Sequence, residues 1–94
     1  MARHTLALTE QVALVTGASS GLGRATALAL AQAGADVVLL ARSADDLQQT
    51  SAELGTSGRR SAAFPGDLAD ERYIQNAVQR TIELFGRVDI GSKE

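Results

Sequence analysis

Three glycines at Gly-x3-Gly-x-Gly spacing, Gly17, Gly21 and Gly23, interrupt the chain between an apolar run, Val12 to Thr16, and an alanine-rich stretch. A glycine turn that ends a strand and opens a helix presents backbone N–H groups and the positive end of a helix dipole to a phosphate. Gly17 would make the tight turn out of the strand, Gly21 would let a pyrophosphate approach the backbone, and Gly23 would keep helix and strand close. Thr16 and either Ser19 or Ser20 would add hydroxyl donors. The spacing is neither Gly-x-Gly-x2-Gly nor a loop ending in Gly-Lys-Ser/Thr, since Leu22-Gly23-Arg24 follows Gly21. The competing reading is a strand-to-helix turn without a ligand.

A second chemical residue is Arg42. Dinucleotide sites place an acid about 20 residues beyond the first glycine, at the end of the second strand, for a ribose 2′-OH. Counting from Gly17 arrives near Asp36, which begins the next apolar run and lies at its wrong end. The correct end reads Leu40-Ala41-Arg42-Ser43. Ala41 has no carboxylate to bind the diol or repel a 2′-phosphate, whereas the Arg42 guanidinium can grip one. This favours NADP(H) over NAD(H). The alternative is a solvent-exposed arginine that begins a helix.

The elements that must position these groups alternate between short apolar runs and helical patterns, as in βαβ units with a parallel sheet. Val12 to Thr16 is the first strand and Leu22 to about Ala33 the first helix, with Leu22, Ala25, Ala29 and Ala33 expected on the face toward the sheet. Gly34 suits the left-handed position after a helix. Val37 to Leu40 lies in the second strand. Ser43 and Asp46 form a capping pattern, followed by Leu47, Thr50, Ser51 and Leu54 on one side of a helix that stops near Gly55. Ser61 to Phe64 is a third strand, ending at Pro65-Gly66-Asp67. From Asp70 to Phe85, Ile74, Ala77, Val78, Ile82 and Phe85 recur at helical spacing. Asp70 and Glu71 sit at the helix start, where they complement its dipole, and Gly86 ends it. Val88-Asp89-Ile90 is the expected start of a fourth strand.

Ninety-four residues make one small domain, 45% hydrophobic and 21% charged. The aromatic residues are Phe64, Phe85 and Tyr73, so the core is built from Ala, Val, Leu and Ile. Without cysteine the chain has no disulfide, zinc–thiolate site or cysteine nucleophile, and no metal ligands are assigned. A net charge of −2 argues against a nucleic-acid surface, and Arg59-Arg60 reads as a solvated loop. No run reaches the ~18 apolar residues that span a membrane, and Met1 to Glu10 lacks the apolar core of a signal peptide. A cytoplasmic protein without nucleic-acid or membrane partners is the expectation. His4, the single histidine, falls in the tail.

Thr16-Gly-Ala-Ser-Ser-Gly-Leu-Gly23, preceded by Val12-Ala-Leu-Val15, resembles the cofactor loop of the short-chain dehydrogenase/reductase family. Ala41-Arg42 resembles its NADP-preferring members, such as 3-oxoacyl-carrier-protein reductases. Gly66-Asp67-Leu68 matches the family's acidic dipeptide, which contacts the adenine ring, and Phe85-Gly-Arg-Val-Asp89-Ile90 matches the run into its fourth strand. The resemblance covers about residues 10 to 90. It implies half of a doubly wound, Rossmann-type α/β fold: three parallel strands and the start of a fourth, in the order 3-2-1-4. It also implies a cofactor-binding set of Thr16, Gly17, Ser19, Ser20, Gly21, Leu22, Gly23, Arg42, Ser43, Asp67 and Leu68.

The departures are specific. Family members follow Asp-Ile with an apolar pair and Asn-Asn-Ala-Gly, where this chain has Gly91-Ser92-Lys93-Glu94. Their catalytic Ser and Tyr-x3-Lys have no counterpart, because Tyr73 is followed four residues later by Ala77, and Lys93 is the only lysine. No catalytic residue is assigned, and the chain is expected to be inactive alone. Residues 1–10 read as a tail and 91–94 as a non-family ending. The leading expectation is the NADP(H)-binding part of an oxidoreductase that transfers hydride between the cofactor and a carbonyl or alcohol, shortened by a frameshift, premature stop or cloning boundary. The alternatives are a non-catalytic NADP-binding module, completed or not by another chain, and an inert remnant. The family order would leave an apolar first strand partly open at an edge, which predicts self-association.

Overall fold

The computed structural model describes residues 10–17, 21–56 and 58–92. Val12–Thr16 forms β1, Gly21–Gln32 α1, Asp36–Ala41 β2, Ala44–Gly55 α2, Ser61–Pro65 β3, Glu71–Phe85 α3 and Ile90–Ser92 β4. The strands make one parallel sheet in the order β3-β2-β1-β4. This is the α/β, doubly wound arrangement expected from the alternating pattern. The chain steps from β1 through β2 to β3 in one direction and then returns past β1 to β4. Right-handed crossovers therefore place α1 and α2 on one face and α3 on the other.

Period-two side-chain alternation divides the core accordingly. Val15, Val37, Leu39 and Ala41 face Ala27 and Ala31 of α1 and Leu47 and Leu54 of α2. Val12, Leu14, Val38 and Leu40 face Ala77 of α3, with Phe64, Tyr73, Ile74, Val78 and Phe85 packed around them. Every residue of β2 is buried, as a strand covered on both faces requires. Full burial of Leu39 and Leu40 contributes roughly 1.5–3 kcal/mol each.

The caps follow the sequence. Ser43 Oγ accepts the Asp46 N–H at 3.2 Å, and Asp70 is the N-cap of α3, its carboxylate accepting the Arg72 N–H at 2.9 Å. Gly86 closes α3 with a left-handed φ of 88°.

Three expectations are corrected. The face of α1 turned to the sheet is Gly23, Ala27 and Ala31, whereas Leu22 is 71% exposed and Ala25 and Ala29 point to solvent. Alanine stands at 25, 27, 29, 31 and 33, so apolar spacing does not fix the helix phase. Gly23, which has no side chain to hold the helix off the strand, does. On α3, Ile82 is 44% exposed and the fully buried position beside it is Thr81. The Thr81 hydroxyl donates to the Ala77 carbonyl at 2.7 Å, which satisfies it inside the core. Finally, β4 begins at Ile90 rather than at Val88. It pairs with β1 through Ala13↔Ile90, Leu14↔Gly91 and Val15↔Ser92, because a backbone ladder needs no apolar side chain. Consequently, among the described residues, β1 is interior and β4 and β3 are the two edges.

Candidate functional site

The strands of a parallel sheet all end on the same side, and the predicted site residues follow those ends. Thr16 is opposite Leu40 in the β1–β2 ladder. Beyond it, Gly17 turns with φ 68°, and its N–H donates to the Leu40 carbonyl at 2.9 Å. This fixes the chain's exit from β1 against β2. Gly21 begins α1 with φ 56°, and a Cβ there would meet nothing within 4 Å. Glycine is favoured at this position by the left-handed backbone rather than by crowding. Gly23 is buried, and no acidic residue lies in the first turn of α1. The positive end of that helix is therefore uncompensated by its own side chains. Leu22 points to solvent. Ser19 and Ser20 lie outside the described residues.

Ala41 is opposite Pro65 in the β2–β3 ladder, and the Gly66 N–H continues the pairing to the Ala41 carbonyl at 2.8 Å. Arg42 and Asp67, the residues that follow these ladder positions, meet: Arg42 Nη2 donates to Asp67 Oδ1 at 3.1 Å. The Arg42 side chain remains 75% exposed and that of Asp67 55%. Asp67 Oδ1 also accepts the Ala69 N–H at 2.9 Å, and the Asp67 carbonyl accepts the Asp70 N–H at 3.0 Å. The Ala69 N–H, followed by Arg42, holds the Asp67 carboxyl below the usual carboxylate range.

Two predicted residues are engaged in local structure. Ser43 Oγ caps α2, and the Leu68 side chain packs into the α3-side core. Asp36 lies at the opposite end of β2, 3% exposed and bonded to Arg60, away from any ribose at the strand's C-terminal end.

Sequence reasoning gave Gly66 no structural role of its own. A Cβ at that position would run into the ring of Tyr73, which is anchored by its hydroxyl donating to the Phe64 carbonyl. Burial pushes the Tyr73 hydroxyl's pKa up. The Pro65-Gly66 pair was a signal for a turn but carried no information about a ring 7 positions downstream in sequence. Among the described residues no cluster of acids or histidines could hold a metal, and no helix is long and apolar enough to cross a membrane.

The profile of the short chain dehydrogenase family matches residues 11–90. L-rhamnose 1-dehydrogenase (NAD(P)(+)) of Sphingomonas sp. (strain SKA58) is 46% identical over 78 residues, covering 82% of this chain and 31% of that protein. L-sorbose reductase from Gluconobacter frateurii, in a complex with NADPH and L-sorbose, superposes with a TM-score of 0.86 at 33% identity, over 93% of this chain and 34% of that one. Carveol dehydrogenase from Mycobacterium avium, in complex with NAD, gives a TM-score of 0.85 at 29% identity, over 89% of this chain and 35% of that one. The chain thus spans about a third of the length of the relatives it matches. With the strand order, the glycine turn after β1, where the order in which strands are added reverses, and the sequence match in agreement, the chain belongs to the short chain dehydrogenase family.

Proposed function

We propose that the chain is the NADP(H)-binding portion of an oxidoreductase that moves hydride between NADP(H) and a carbonyl or alcohol. The observation that carries the cofactor preference is the Arg42 guanidinium at the C-terminal end of β2, largely exposed beside a buried Ala41 that offers no carboxylate. The site's donors suit a polyanion: a helix N-terminus free of acids, a left-handed glycine with open space above it, and a guanidinium across the strand ends. NADPH in the sorbose reductase and NAD in the carveol dehydrogenase show that this fold serves both cofactors, so the choice here falls to Arg42.

In this reading the α1 N-terminus and the turn at Gly17 and Gly21, with Ser19 and Ser20, hold the pyrophosphate. Arg42 grips the 2′-phosphate, and Asp67 borders the adenine. Bound dinucleotide supplies or accepts the hydride. The contribution of this chain is binding and orientation, since the Tyr73 hydroxyl is committed to the Phe64 carbonyl and followed four residues later by Ala77.

Titrating the purified chain with NADPH and NADH by calorimetry or nicotinamide fluorescence tests the proposal. NADPH is expected to bind more tightly, and Arg42→Ala to weaken NADPH about tenfold while changing NADH less than about twofold, as loss of one charge-assisted phosphate contact predicts. Tighter NADH binding, or equal losses for both cofactors, would remove Arg42 from the 2′-phosphate and reverse the cofactor preference.

A further inference from the structure

We infer that Asp67 is a positioning residue for Arg42 and thereby sets the cofactor selectivity of this site. The inference rests on the proposed dinucleotide-binding role and goes beyond any contact Asp67 makes with the adenine.

The β2–β3 ladder ends at Ala41↔Pro65 and is extended by the Gly66 N–H, so Arg42 and Asp67 leave adjacent strands side by side. Asp67 is the fixed member of the pair. The same oxygen that meets Arg42 accepts the Ala69 N–H, and its backbone carbonyl closes a turn with Asp70. Arg42 is the mobile member: a long side chain, three-quarters exposed, that loses considerable rotamer freedom whenever it is held in one place. An anchor that already restricts it lowers the ordering cost of meeting a phosphate.

The geometry also separates anchoring from competition. A guanidinium carries five N–H donors, and the Asp67 contact engages Nη2 alone, at 3.1 Å, rather than forming a two-pronged pair. Donors remain for the three oxygens of a phosphomonoester. NADH offers a neutral ribose hydroxyl at that place and gains little from a positioned cation. The pair therefore acts on the ratio of the two affinities rather than on both equally.

A double-mutant cycle on the purified chain tests this, with NADPH and NADH dissociation constants measured for the parent, Asp67→Asn, Arg42→Ala and the double variant. Asparagine retains an oxygen for the Ala69 N–H while removing the charge, and Asp67→Glu, whose longer arm moves the carboxylate, is the second probe. Asp67→Asn is expected to lower the NADPH-over-NADH preference about threefold, the scale of an exposed ion pair, and to leave the ratio unchanged in the Arg42→Ala background. Asp67→Glu is expected to restore part of the preference. An equal ratio change with and without Arg42, or a rise in NADPH preference on removing the charge, would overturn the positioning role while leaving the NADP(H) proposal intact. If Arg42→Ala weakens both cofactors equally, or if the parent binds neither, the underlying reading falls, and this inference with it.

Discussion

Asp36 shows how a charge is retained in this small core. Its carboxylate is 3% exposed, yet one oxygen accepts the Arg60 N–H at 3.1 Å and the other accepts Arg60 Nε and Nη2 at 3.1 and 2.7 Å. Arg59 Nη2 lies 3.6 Å from it. The Arg60 guanidinium in turn sits 5.0 Å from the centre of the Phe85 ring, fastening the end of α3 to the start of β2. The pair is asymmetric, because the Arg60 side chain is 64% exposed and that of Asp36 only 4%. Removing the arginine side chain leaves a buried carboxylate with only Arg59 and the residue-60 N–H as partners, whereas neutralising the acid leaves an arginine that rehydrates. Arg60→Ala is therefore expected to cost about 2–3 kcal/mol and Asp36→Asn about 1 kcal/mol in urea unfolding; equal costs would contradict the asymmetry. Sequence reading treated Arg59-Arg60 as a solvated loop, because nothing local announces a partner 24 residues upstream. Arg42 was legible by type and by its place at a strand end. Its ion pair with Asp67 was not, since 25 residues separate them and only strand pairing brings them together.

At the scale of elements, β4 is fastened by Asp89, just before its first residue. The Asp89 N–H donates to the Val12 carbonyl at 2.9 Å, its Oδ2 accepts the Val12 N–H at 2.9 Å, and its Oδ1 accepts Arg87 Nε at 2.8 Å. Arg87 first, and the Val12 N–H second, hold the Asp89 carboxyl below the usual carboxylate range. A carboxyl with a depressed folded pKa stabilises fully above its unfolded value of about 3.9, and that contribution disappears as pH falls through the lower folded value. Asp67 is depressed in the same direction, so Asp89→Asn should make the acid limb of the stability–pH curve shallower without abolishing it. Superimposable slopes below about pH 4 for parent and variant would contradict this. Sequence pattern located every element among the described residues, because glycine turns, caps and apolar runs mark ends. It failed on rotation and extent. The alternating alanines of α1 give both faces similar apolarity, Thr81 is buried with its hydroxyl bonded to its own helix, and Gly91 and Ser92 join a ladder through their backbone.

For the molecule as a whole, the order β3-β2-β1-β4 shields β1 and transfers the open edge to β4, which among the described residues pairs only with β1. Among the described residues the exposed large apolar side chains are Leu22 on α1 and Ile82 and Leu84 on α3, the last two 44% and 49% exposed. A strand edge with unused N–H and carbonyl groups templates pairing with another chain, and apolar side chains on the neighbouring layers add a favourable area term to any such contact. Repulsion is weak, because the net charge is only −2. We therefore expect the purified chain to self-associate, with a weight-average sedimentation coefficient that rises with protein concentration and a melting temperature that rises with it. Ile82→Glu together with Leu84→Glu places two like charges on α3 and should shift sedimentation toward the monomer, while leaving the sheet-facing residue Ala77 and the site at the strand ends untouched. A single species whose sedimentation and sharp melt are both independent of concentration would show that β4 closes the sheet adequately by itself.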